Sequence, residues 1–106
     1  MSIAYLIDFS ASTPDPIKHR MAEYVCRQFR PGDIVIGFNV WAAHLFFQGN
    51  PTVADILKSE KSFRGGTNPT EAIKLAKNKD MNCEIHILSD GEFGNVPGPY
   101  RLIKFE

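Results

Sequence analysis

The chain has little that would tie it to a membrane, a nucleic acid or an oxidising compartment. Its longest strongly apolar stretch, Ile34 to Phe47, is broken by Gly37, Asn39 and His44. It falls short of the roughly 20 residues that a spanning helix needs. The first residues, Met1-Ser2-Ile3-Ala4-Tyr5, carry no positive n-region and read straight into a strand-like segment bearing Asp8, so no signal peptide is expected. An excess of one charge is also missing. Twelve Lys and Arg face twelve Asp and Glu, for a formal net charge of zero, which argues against a protein that works by neutralising phosphate backbones. Cysteine is sparse, with Cys26 and Cys83 far apart and no CxxC spacing. They read as reduced, small buried hydrophobes of a cytoplasmic protein rather than as a disulfide, a zinc ribbon or a redox pair. No repeat, linker or low-complexity tract divides the sequence, and 106 residues leave room for one hydrophobic core, not two. The expectation is a single domain spanning 1–106.

Within that domain the apolar residues are patterned. Ile3 to Asp8 is a short, continuous apolar run ending in an acid, the signature of a strand buried on both faces. Cap and first-turn residues at 10–16 then lead into Ile17, Met21, Val25 and Phe29 on one helical stripe, so a helix is predicted to end near Arg30. Pro31-Gly32-Asp33 breaks it. Two strand-like runs follow, Ile34 to Phe38 and Val40 to Phe47, too closely connected to be anything but antiparallel neighbours. A modest helix is predicted around Val53 to Ser59, and a second one capped by Asn68, opened by Pro69 and running to about Lys77. Glu84 to Ser89 repeats the pattern of the first strand and again ends in an acid, Asp90, while Tyr100 to Phe105 forms a last strand. The order β-α-β-β-α-α-β-β is that of an α/β domain with a mostly parallel sheet and one antiparallel edge strand.

Both strand-end acids fall where open α/β sheets collect ligands, at the carboxyl ends of strands near the reversal of strand order. Three pieces converge on that edge: Asp8-Phe9-Ser10-Ala11-Ser12, Gly65-Gly66-Thr67 and Ser89-Asp90-Gly91. Two carboxylates and three hydroxyls, without His or Cys, are hard oxygen donors suited to Mg²⁺, Mn²⁺ or Ca²⁺ and unsuited to zinc. Such a metal would also relieve the repulsion between two neighbouring acids.

Asp8-x-Ser10-x-Ser12, Gly-Gly-Thr67 and the hydrophobic-Ser-Asp90-Gly sequence resemble the metal-ion-dependent adhesion site of von Willebrand factor type A (vWA) domains, with all five motif positions matched in order. The resemblance covers the chain as far as Gly91. It implies a minimal vWA or Rossmann-like domain: a five-stranded sheet in the order 3-2-1-4-5 with about three helices. It further implies that Asp8, Ser10, Ser12, Thr67 and Asp90 bind the metal directly or through water, and that a partner protein presents an Asp or Glu carboxylate to it. Thr67 is then the residue whose coordination exchanges with that of Asp90 when this carboxylate arrives. The chain departs from ordinary members of the family in its shortness and in the Gly91 to Pro99 loop that replaces a helix. In this it is similar to bacterial metallopeptidase-like vWA domains, some of which accompany AAA+ ATPases of the MoxR type.

Competing readings remain for the same residues. Asp8 and Asp90 could cap helix N-termini. A strand-end Asp beside a metal also describes phosphoaspartyl hydrolases and receiver domains. Their usual second acid, however, is replaced here by Ser10, and His86 to Gly91 contains no lysine. The leading expectation is a binding module rather than an enzyme, and a metal-free structural interaction domain is the third possibility. His44 and His86 read as half-exposed strand residues rather than ligands, and Trp41 as core or edge cover. Lys18, Arg20, Arg27, Arg30, Lys58, Lys61 and Lys74 read as solvated helix faces. Glu92 and Asn95 lie close enough to Asp90 in sequence to select or occlude a ligand. Because no helix remains to cover the last two strands on one side, Ile85, Ile87 and Leu88, with Leu102 or Ile103 and Phe105, are expected to meet water and to be buried in a homodimer or against a partner subunit, with the dimer expected in isolation.

Overall fold

The computed structural model describes residues 2–9, 14–38, 42–45, 51–58, 69–90 and 98–105. The elements are β1 (Ile3–Asp8), α1 (Asp15–Gln28), β2 (Ile34–Phe38), β3 (Ala42–Leu45), α2 (Val53–Lys58), α3 (Thr70–Lys79), β4 (Glu84–Ser89) and β5 (Arg101–Lys104). Four strands run parallel in the order β2-β1-β4-β5, and β3 pairs antiparallel outside β2. β1 is central, with Ala4 level with Ile34 on one side and Ile85 on the other. That position explains its unbroken apolar sequence, because each of its side chains enters one of two cores.

One face of the sheet brings Tyr5, Ile7, Val35 and Leu88 against Met21, Ala22 and Val25 of α1 and Ile56 of α2. The other brings Ala4, Leu6, Ile34, Ile36, Phe38, Ile85 and Ile87 against Ala72, Ile73 and Ala76 of α3. The small residues of α3 let its backbone approach the sheet closely. Each large aliphatic side chain buried in these layers contributes roughly 1.5–3 kcal/mol. Cys26 packs with the first layer and Cys83 with the second. Both are free thiols, their pKa raised chiefly by burial.

At the edge where the parallel strands begin, two carboxylates tie the chain together. Asp33 accepts the Ile3 N–H at 3.0 Å and the Arg30 N–H at 2.9 Å. This joins the start of β1 to the turn after α1, in which Gly32 takes φ +95°, a conformation costly for residues with a Cβ. Asp80 accepts the Ser2 hydroxyl and, at 2.9 Å, the Asn82 N–H, and these two bonds, the hydroxyl's first, hold its carboxyl below the ordinary range. The Tyr5 hydroxyl donates to the Gln28 carbonyl at 3.2 Å.

Several expectations change here. α1 is capped by Pro14 without a side-chain hydrogen bond. α3 begins one residue after Pro69, which is its cap, and runs to Lys79; Asn68, the expected cap, lies outside the described residues. Ile85, Ile87 and Leu88 do not meet water: they are 3%, 0% and 0% exposed. Leu88 faces α1 and α2, and the two isoleucines share the α3 core. Ile103 and Phe105 pack against the α1 layer, Phe105 edge-to-face with Tyr24 at 5.9 Å, which leaves Leu102 of that group exposed. His86 is buried rather than half-exposed, since β5 pairs along the outer side of β4. Its Nε2 lies 3.0 Å from Glu84 Oε2 and its ring stands edge-on to Tyr5, 5.8 Å between centroids. The side chains of Trp41 and His44 lie outside the described residues.

Burial first, and the Asp33 carboxylate second, push the Tyr5 hydroxyl up to about 12. Its folded pKa exceeds the unfolded value near 10, so its contribution to stability is complete below about pH 10 and is lost as pH rises toward 12. Tyr5→Phe should lose about 1 kcal/mol at neutral pH with its hydrogen bond, and should lose stability less steeply than wild type between pH 10 and 12. Urea unfolding of both proteins at pH 7, 10 and 11.5 checks this; parallel pH profiles would contradict it.

Candidate functional site

The winding of the chain singles out one place on the sheet. From β1 the chain passes through α1 to β2 on one side, whereas α3 leads into β4 on the other side of β1. The two helices lie on opposite faces. Strand order therefore reverses between β1 and β4, and connections leaving the carboxyl ends of these two strands diverge to opposite faces, opening a crevice. Because the strands are parallel, α1 and α3 must run back across the sheet. Their N-terminal ends, at Asp15 and Thr70, thus belong to the same edge as the ends of β1 and β4.

The residues at this reversal are acidic and hydroxylic. Asp8 closes β1 and is 1% exposed. Ser89 closes β4, one residue past the paired rung Ile7 and Leu88, and is equally buried. Its hydroxyl donates to Asp8 Oδ2 at 2.7 Å, a short charge-assisted bond. Backbone bonds from the Phe9 N–H to the Phe38 carbonyl (2.8 Å) and from the Phe105 N–H to the Ser89 carbonyl (2.9 Å) fix both strand ends in the sheet. Asp90 follows Ser89 directly and is half-buried.

Of the five metal-ligand candidates, Asp8 and Asp90 are thus brought to the ends of neighbouring strands. Ser10, Ser12 and Thr67 lie outside the described residues, as do Gly65, Gly66, Gly91, Glu92 and Asn95. Among the described residues no three His, Cys, Asp or Glu side chains group together; the expected ligand set contains only two acids, and its remaining members are hydroxyls. Two oxygen donors on adjacent rigid strands, one withdrawn from water, fit a hard divalent cation better than a soft one.

Sequence reasoning missed the bridging role of Ser89 and the burial of Lys18. Ser89 was part of the Ser-Asp-Gly motif with no separate role, yet its hydroxyl bridges the two strands. Lys18 is not solvated: it is 5% exposed. The signal was present, for Lys18 precedes Met21, Ala22 and Val25 at helical spacing and shares their buried stripe. A pocket of about 310 Å³ lined by Cys83, Glu84, Ile85, Pro99, Tyr100 and Arg101 opens at the other end of β4, where β4 and β5 begin. It is remote from the strand reversal.

No protein-family model matches the chain, and no curated protein does. Solved structures do. Proximal thread matrix protein 1 from the mussel byssus superposes with a TM-score of 0.56 at 19% identity over 85% of this chain and 28% of its own. An aerotolerance-related membrane protein from Bacteroides fragilis NCTC 9343 gives 0.52 at 19% identity over 90% of this chain and 56% of its own. The likeness is one of fold. The chain spans less than two thirds of either protein. Among the described residues no helix is long and apolar enough to cross a membrane.

Ser89→Ala removes the hydroxyl from a carboxylate that has almost no access to water. A hydrogen bond to a buried charged group carries about 1.5–3 kcal/mol, so the variant should unfold at correspondingly lower urea concentration with an unchanged m-value. A midpoint equal to that of wild type would show that the bond contributes nothing.

Proposed function

We propose that the chain is a divalent-metal-dependent protein-interaction module of the vWA type. In this reading Asp8 and Asp90, with Ser10, Ser12 and Thr67 from the flanking segments, hold Mg²⁺, Mn²⁺ or Ca²⁺ at the strand reversal. The observation that carries it is the meeting of two acid-terminated strands at that reversal, with the nearly inaccessible Asp8 carboxylate held by Ser89. When bound, the ion supplies an open coordination position for a carboxylate of a partner protein. Asp8 is the rigid anchor, because β1 and the Ser89 hydroxyl fix it from two sides. Asp90, half-buried and just past the end of β4, is placed to be shared with an incoming ligand.

The reading assigns the chain no catalytic residue: Ser10 stands where hydrolases of this geometry carry a second acid. It places the protein in the cytoplasm, in keeping with two free thiols, and makes an AAA+ ATPase of the MoxR type a partner to examine. Homodimer formation belongs to the same proposal. Among the described residues its apolar basis beside the β5 edge is Leu102, 41% exposed, and Tyr100, 36% exposed, since Ile85, Ile87 and Leu88 are buried.

Millimolar Mg²⁺ or Mn²⁺ should raise the unfolding temperature, because a ligand that binds only the folded state stabilises it by mass action. Asp8→Ala and Asp90→Ala should abolish the shift. An unchanged metal response in Asp8→Ala, read by differential scanning calorimetry, would remove the site assignment.

A second expectation concerns Thr67. Thr67→Ala should melt as wild type does in chelator but lose magnesium-dependent capture of the partner in a pull-down. Capture equal to that of wild type would contradict the open-coordination mechanism.

A further inference from the structure

β5 joins β4 late. Their first rung pairs His86 with Arg101, although β4 already begins at Glu84. Pro99 and Tyr100 lead into β5 without pairing, and a proline has no N–H to give to a ladder. A gap is therefore left beside Glu84 and Ile85. The cavity of about 310 Å³ lined by Cys83, Glu84, Ile85, Pro99, Tyr100 and Arg101 occupies it. Its volume stands at the lower end for small-molecule sites and equals the room of about ten liquid waters, which suits a ligand the size of one amino acid.

The walls of this cavity differ in character. Glu84 and His86 share one face of β4, and the first rung places Arg101 on the same face. Cys83 and Ile85 belong to the opposite layer, with α3, and Pro99 and Tyr100 extend that apolar surface. The cavity is thus charged on one side and apolar on the other. Glu84 and Arg101 have opposite sign, and two residues along the strand and one strand across set their Cα atoms about 8 Å apart. They do not pair with each other. Glu84 Oε2 lies 3.0 Å from Nε2 of the buried His86, whose Nδ1 has no partner, so this single bond of the ring holds the Glu84 carboxylate in place. Among the described residues Arg101 has no ion pair. The Glu84 N–H turns to the Ser2 carbonyl at 2.9 Å, on the β1 side, so the alternation of the strand turns the Ile85 N–H toward the gap.

We propose that this cavity binds a free amino acid with an apolar side chain. Arg101 receives the α-carboxylate, for which its planar fork is shaped, and the Ile85 N–H faces the same group. Glu84 accepts the α-ammonium. Cys83, Ile85, Pro99 and Tyr100 surround the side chain. A chain terminus brings only one of these charges and a neutral solute neither, whereas a zwitterion answers both. The site shares no residue with the strand reversal, so its failure would leave the metal-site reading untouched.

Proton–nitrogen correlation spectra recorded in chelator test it, with L-leucine, L-methionine and L-phenylalanine added to millimolar concentration. The Glu84, Ile85 and Arg101 amides should shift saturably with at least one of the three, while those of Asp8 and Asp90 stay in place. The N-acetyl form of the tightest binder lacks the ammonium, and its amide lacks the carboxylate. Each should bind about tenfold more weakly, as loss of one charge-assisted contact implies. Glu84→Gln should no longer distinguish the free amino acid from its N-acetyl form, and Arg101→Gln should no longer distinguish it from its amide. No saturable shift with any of the three, blocked forms that bind wild type as tightly as the free one, or full discrimination in either variant overturns the proposal. The blocked forms probe wild type alone, so that arm does not depend on how well the variants fold.

Discussion

The Asp8 carboxylate is the constraint to which the rest of this edge must answer. It lies at the end of a strand buried on both faces and bordered by parallel neighbours, with 1% of its surface exposed. Water cannot solvate it there, so the protein must, and the Ser89 hydroxyl at 2.7 Å is the first part of that solvation. Asp90 adds a second acid one residue beyond Ser89, on the adjacent strand. Two carboxylates in this position favour anything that brings positive charge, such as helix N-termini or a metal ion.

The two edges of the sheet use their acids differently, and the difference comes from the direction of the strands. Parallel strands begin with N–H groups and end with carbonyls. Asp33 and Asp80, at the starting edge, accept backbone N–H groups of Ile3, Arg30 and Asn82 and so act as clasps of the fold. At the finishing edge the strands present carbonyl oxygens, which cannot donate to Asp8 or Asp90. Acids there need hydroxyls, helix ends or cations. This asymmetry makes the finishing edge suitable for a cation and the starting edge unsuitable, although both hold two acids.

Much of this was legible in the sequence because burial on two faces leaves an unmistakable pattern. The runs Ile3 to Asp8 and Glu84 to Ser89 announced interior strands ending at acids, and the placement of those acids at neighbouring strand ends follows from the winding. The misreadings on β4 share a physical cause, since they depended on neighbours that only the tertiary structure supplies. His86 is buried because β5 lies beside it, and Ile85 and Ile87 because they share a core with α3. Lys18 was read by its charge rather than by its position three and four residues before Met21 and Ala22. Pro69 took the cap position assigned to Asn68, a difference of one residue at a helix end, where short-range signals compete.

The most direct test of the central claim is a proton–nitrogen correlation spectrum of the protein titrated with substoichiometric Mn²⁺, whose unpaired electrons broaden the signals of nearby amides. The account predicts early and selective loss of the Asp8, Phe9, Ser89 and Asp90 amides, reversed by excess Mg²⁺, while the Asp33 and Asp80 amides persist. Broadening centred on the Asp33 and Asp80 edge, or spread evenly over the exposed acids, would contradict it.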